Sequence, residues 1–265
     1  METLELATVT PRIQSVLALG MEGAGKTHFI GTAPKPILLY SFDGGYRTLA
    51  GVPGIRAKVF LDPDRRKPRA AAEFEIEFRN YVEGKETPYT WPDGTVEPFK
   101  TLALDPLSFW SMAEMQRIQF VNHTTDKKMN WDEYEILKKR AIDLLNLGKR
   151  VVEERGGYFM ATCHVKSDKD EDTGQMWFLP DMAGSIRESI GSHFDAVVYL
   201  KAEKKPSGEK DYQMHTVGER RERARLRLPS SLEGVVKAID VPDFSAIQAR
   251  LAQACQPAPT TGGGK

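Results

Sequence analysis

Cysteine is nearly absent. Cys163 and Cys255 are the only two in 265 residues, they lie far apart, and no CxxC or Cys/His ligand spacing occurs. This excludes a disulfide scaffold and a structural zinc site and fits a reducing compartment. Long apolar runs are missing too, none approaching the ~20 residues of a membrane-crossing helix, so no membrane partner is expected. The opening METLELATVTPR lacks the apolar centre of a secretory leader, and the sequence predicts a cytoplasmic protein. Nor is there net charge: 37 basic residues balance 37 acidic ones. That excludes a uniformly basic nucleic-acid binder and moves the question to local patches. What remains is an ordinary globular mix, 40% hydrophobic and 28% charged, enough for one α/β domain.

Apolar runs of strand length alternate with helical patterns from residue 12 to about 200. RIQSVLAL (12–19), ILLYSF (37–42), FKTLALD (99–105), YFMATCHV (158–165) and DAVVYL (195–200) read as strands. Helices are expected from Lys26 to the prolines Pro34 and Pro36, through EFEIEFRNYVEG, through 107–123, over 130–157 and, shorter, within 182–194. Residues 87–98 read as a loop or short hairpin, and KKPSGEK (204–210) as the turn of a C-terminal hairpin. The order predicts an α/β fold with a mostly parallel sheet and helices on both faces. Its parts are an N-terminal extension (1–11), a main α/β domain (12–235), a helical segment (236–254) and a disordered tail (255–265).

Between the first strand and the first helix stands Gly20-Met21-Glu22-Gly23-Ala24-Gly25-Lys26-Thr27, which fits GxxxxGK(S/T) at every fixed position. Glycines let the backbone turn tightly, so that successive N–H groups face phosphate oxygens. Lys26 then reaches the β- and γ-phosphates of ATP, and the Thr27 hydroxyl ligates Mg²⁺. Asp105, closing the apolar strand TLALD, is the acidic residue that holds the magnesium shell. Asp43 in YSFDGG reads either as the group that orients water or as the first residue of a glycine turn. His164 in ATCHVK reads either as a phosphate sensor or as a satisfied strand-end polar residue.

The P-loop, LLYSFDGG, KTLALDPLSFW, WDEYEILKKRAIDLLNL and FMATCHVK, in that order, resemble the phage-type RecA-fold ATPases that include the minimal single-strand annealing recombinases. The resemblance spans about residues 12–235. It implies a RecA-like P-loop core in which Asp43 activates water, with Asp where many relatives have Glu. It makes His164, where RecA itself has Gln, the γ-phosphate sensor leading into a DNA-facing loop. It also implies ATP-dependent annealing or recombination on single-stranded DNA in a host cytoplasm. The protein would act as a homo-oligomer, ring or filament, with a single-strand-binding protein as a further partner. The sequence departs from the pattern in having no separate DNA-binding domain and no long N-terminal assembly helix, which favours annealing over full strand exchange.

Lys166 and Lys169 follow His164 and suit phosphate contact, but Asp168, Asp170, Glu171 and Asp172 make that hairpin acidic. Trp177 and Phe178 either stack on bases or pack inward. Lys127 and Lys128 offer a second contact, in a polar loop before the long helix. The sharpest basic cluster is Arg220, Arg221, Arg223, Arg225 and Arg227. Its alternation puts Arg223, Arg225 and Arg227 on one strand face. Three readings stay open: an arginine finger to a neighbour's ATP from Arg225 or Arg227, DNA phosphate binding, or a charged edge strand. Two other functions share the P-loop: a nucleotide-switched replication accessory factor of helicase-loader type, and a small-molecule kinase, for which no acceptor motif stands in the sequence.

Overall fold

The computed structural model describes residues 12–64, 66–125, 127–169, 174, 176–218 and 223–256. Residues 1–11, most of the expected tail, Arg220, Arg221 and the acidic tip 170–172 lie outside the described residues. The chain runs β1 (Ser15–Gly20), α1 (Lys26–Gly31), β2 (Ile37–Ser41), β3 (Ile55–Val59), α2 (Ala70–Val82), β4 (Tyr89–Thr90), β5 (Val96–Glu97), β6 (Thr101–Asp105), α3 (Leu107–Val121) and α4 (Trp131–Glu154). It continues through β7 (Tyr158–Lys169), β8 (Met176–Pro180), α5 (Ile186–Ser189), β9 (Ala196–Lys204), β10 (Lys210–His215), β11 (Arg225–Leu226), β12 (Ile239–Asp240) and α6 (Phe244–Ala254).

The strands SVLALG, ILLYS and TLALD are buried along their whole length. Such runs suit a sheet covered on both faces, where alternation has no solvent side to mark. The order along the sheet is β12-β10-β9-β1-β7-β6-β2-β3. Pairing is parallel from β9 across to β3. β8, β10, β11 and β12 add antiparallel strands, and β9–β10 is the expected C-terminal hairpin. Successive side chains alternate faces: Leu17 and Leu19 join the core under α2, α3 and α4, while Val16 and Ala18 join the core under α1 and α6. The fold is therefore mixed α/β with a mostly parallel sheet and helices on both faces, the core of a P-loop NTPase.

Local chemistry sets the helix ends. Asn130 and Glu133 form a reciprocal capping box at the start of α4, satisfying two backbone donors that the helix itself cannot. Asp243 caps α6 through Ala246 N.

Some elements differ from the sequence reading. β3 (IRAKV) was not foreseen because it is an edge strand whose charges stay half-exposed, so no apolar run marks it. Lys58 there pairs with Glu77 and Glu86. The segment 182–194 is not one helix but α5 followed by a 3-10 turn, Ile190–His193. The helix of 236–254 is confined to α6, after the short strand β12. The arginine strand shrinks to the two residues of β11, paired with Ala196 and Val197.

Candidate nucleotide site

β1 ends at Gly20, and the chain turns through Gly23 (φ 74°) and Gly25 (φ 86°) before α1 starts at Lys26. Gly25 is demanded twice over. Its backbone is left-handed, and a Cβ there would stand 3.0 Å from the Tyr212 ring. The Lys26 ammonium is buried and donates to Gly20 O (2.9 Å), Met21 O (2.8 Å) and His164 Nδ1 (3.2 Å). Burial lowers its pKa, and the nearby Asp105 opposes that shift.

Asp105 ends β6 and meets Thr27 of α1, 78 residues away in sequence. Thr27 Oγ1 donates to its Oδ2 at 2.6 Å, and the Thr162 hydroxyl of β7 donates to its Oδ1. Burial pushes the carboxyl pKa up, while the two hydroxyls and Lys26 pull it down. A hydroxyl beside a carboxylate oxygen is a hard-oxygen donor set suited to Mg²⁺, which takes few protein ligands and completes its shell with water and phosphate oxygens. Among the described residues there is no cluster of three or more His, Cys, Asp or Glu fit to hold a metal alone. A cation here is thus one that Thr27 and Asp105 would hold together with a nucleotide.

Asp43 lies just past β2, half-buried, with Oδ1 accepting from Gly45 N at 2.7 Å. The turn reading and the cleft position therefore coexist: the second carboxylate oxygen makes no bond in that turn. His164 packs edge-on to Phe109 at 5.7 Å, and its backbone N–H donates to Ser108 Oγ. Because an ammonium only donates, His164 Nδ1 accepts, and the ring is neutral. Burial, then the adjacent Lys26, lowers the His164 pKa from 6.5. Below pH 6.5 the unfolded chain takes up a proton that the folded chain refuses, so stability falls as pH drops from there toward the folded value. His164→Gln is expected to flatten the dependence of Tm on pH across that window, leaving the slope from His193, whose pKa is also lowered. Thermal melts at stepped pH check this; an unchanged slope would refute it.

These groups line one open cleft of ≈ 980 Å³ at the C-terminal edge of the sheet. A family model described as AAA domain matches residues 12–228. The chain belongs to the AAA domain family. No curated protein matches it. It is a P-loop ATPase of the AAA type, and Gly20–Thr27 carries its P-loop sequence.

Within this ATPase the cleft gathers Lys26, Thr27, Asp43, Asp105 and His164, together with Met21, Glu22, Gly23 and Gly25 of the loop. Ala24 points inward and is buried. Residues of the neighbourhood that escaped the sequence reading include Thr162, Ser108, Lys210 and Tyr212. Thr162 was signalled by strand period, since it shares a face of β7 with His164; Lys210 and Tyr212 carried no such signal. Other expected residues lie elsewhere. Lys127, Lys128, Lys166 and Lys169 are exposed outside the cleft. Phe178 packs against Tyr199 and the core. Arg223, Arg225 and Arg227 do share one side, where they donate to the carbonyls of Glu188, Gly191 and Ser192 of their own chain. They do not line their own chain's phosphate cleft. No helix among the described residues is long and apolar enough to cross a membrane.

Proposed function

We propose that this ATPase hydrolyses Mg²⁺–ATP and couples the nucleotide state to single-stranded DNA, in annealing or recombination of the phage type, as a homo-oligomer. One observation carries the reading. β7 holds His164 against Lys26 inside the cleft, then runs unbroken to the exposed Lys166 and Lys169 at the β7–β8 hairpin. A γ-phosphate that draws Lys26 away from His164 thereby acts on the strand that bears Lys166 and Lys169. Asp43 orients the attacking water, Lys26 neutralises charge on the transferred group, and Thr27 with Asp105 holds the magnesium. Lys127 and Lys128, in the loop before α4, are further phosphate contacts. Arg225 and Arg227 do not line their own chain's cleft, so a finger from either would leave its Gly191 or Ser192 carbonyl and act on a neighbouring subunit.

The test is ATP hydrolysis with and without single-stranded DNA, beside a Lys26→Ala control. Stimulation by DNA that disappears in the control, with binding that weakens as salt rises, is the expected result. Turnover indifferent to DNA, with no DNA binding at low salt, overturns the DNA reading and points to a protein partner controlled by the same switch.

A further inference from the structure

The β9–β10 hairpin passes beside the phosphate cradle, and its register shows where its side chains fall. Gly20 of β1 is level with Leu200 of β9, which is level with Met214 of β10. Tyr212, opposite Ala202, therefore stands beyond the first glycine of the loop. Met214 is buried in the core under α1, and Tyr212, two positions before it, shares that face. Lys210 shares it too. The Tyr212 ring lies against Gly25, with Cδ1 and Cε1 3.0 and 3.2 Å from where a Cβ would be. The Lys210 ammonium lies 3.7 Å from the corresponding point on Gly23. Both side chains line the cleft.

The cleft has a direction. Lys26, Asp105 and His164 fix its terminal-phosphate end, over β6 and β7. The nucleoside end must leave the other way, and β10 lies on the opposite side of β1 from those strands. Tyr212 is 41% exposed there, and among the described residues no other ring packs on it. We propose that Tyr212 is a stacking platform for the base of the bound nucleotide, with Lys210 beside it on the polyphosphate. The proposal rests on the nucleotide reading of the cleft and adds the subsite that holds the nucleoside.

The experiment titrates the full chain with Mg²⁺–ADP and, separately, with inorganic tripolyphosphate. Tyr212→Ala is expected to weaken ADP about tenfold or more and to leave tripolyphosphate unchanged. Tyr212→Phe restores ADP binding, because the ring and not the hydroxyl supplies the surface. Tyr212→Leu keeps apolar cover over Gly25 without a π face, so it behaves as the alanine variant even where that variant folds poorly. Lys210→Ala weakens both ligands. Equal ADP affinity in wild type and Tyr212→Leu overturns the platform while leaving the nucleotide site intact. Parallel loss of tripolyphosphate overturns it as well, because the ring then only braces the loop. A wild-type chain that binds neither ligand sinks the nucleotide reading itself.

Discussion

Replacing Lys26 by alanine is expected to lower ATP turnover about 100- to 1000-fold, the usual loss when a preorganised charge is removed from a reacting group. The same change is expected to leave Tm unchanged or to raise it. The reason is that the ammonium is buried and its pKa is lowered by that burial, so the folded state holds this charge less favourably than water does. The Met21 carbonyl borders the open cleft, where water replaces the lost donor, and the buried Gly20 carbonyl's loss of its side-chain donor offsets part of the gain. Phosphate release and thermal melts on one preparation check both halves. Turnover above about a tenth of wild type would remove Lys26 from the reaction. A melt lowered by many degrees would instead attribute the loss to unfolding.

Phe74→Ala is expected to destabilise the fold by about 3–5 kcal/mol, a large share of the ~5–15 kcal/mol that holds a typical domain together. Phe74, on α2, is the hub of an aromatic cluster. Its ring centroid lies 5.3 Å from Tyr40, 5.1 Å from Phe42, 5.6 Å from Phe60 and 5.5 Å from Phe78. These rings, from the end of β2, the residue after β3 and the next turn of α2, cannot close over the gap together, so much of the void remains. Ile76, two residues on, is 62% exposed, and Ile76→Ala is expected to shift stability by no more than about 0.5 kcal/mol. Denaturant unfolding of both variants measures the contrast. Equal losses would mean that α2 contributes through helix propensity and not through its buried ring.

Much of this was legible in the sequence for specific reasons. Gly20–Thr27 announces itself because positive φ and close approach admit only glycine at set positions. Asp105, Asp43 and His164 were found because each polar residue closes an apolar run, and in a parallel sheet the strand ends share one edge. Their mutual contacts follow from strand neighbours, which chain order does not reveal: nothing in TLALD states that Thr162 will donate to Asp105. β3 was hidden by its edge position, since a half-exposed strand with Arg56 and Lys58 lacks the apolar signal. Tyr212 was hidden for a different reason. A tyrosine in a polar hairpin gains meaning only when the register of β9, β10 and β1 brings it to Gly25.

The contacts that close the cleft join positions very distant along the chain. Lys26 and His164 are 138 residues apart and Thr27 and Asp105 are 78 apart; at the far end of β1, the Ser15 backbone bonded to Asp195 spans 180. Non-local pairings of this kind form late, because the loops they close must be ordered before any contact rewards them. During synthesis the cradle sequence emerges first and waits for β6, β7 and β9 before it can assemble. Nucleotide thus has nothing to template on a nascent chain. It captures the finished molecule, and a nick anywhere between α1 and β7 that frees the two halves abolishes binding outright instead of grading it.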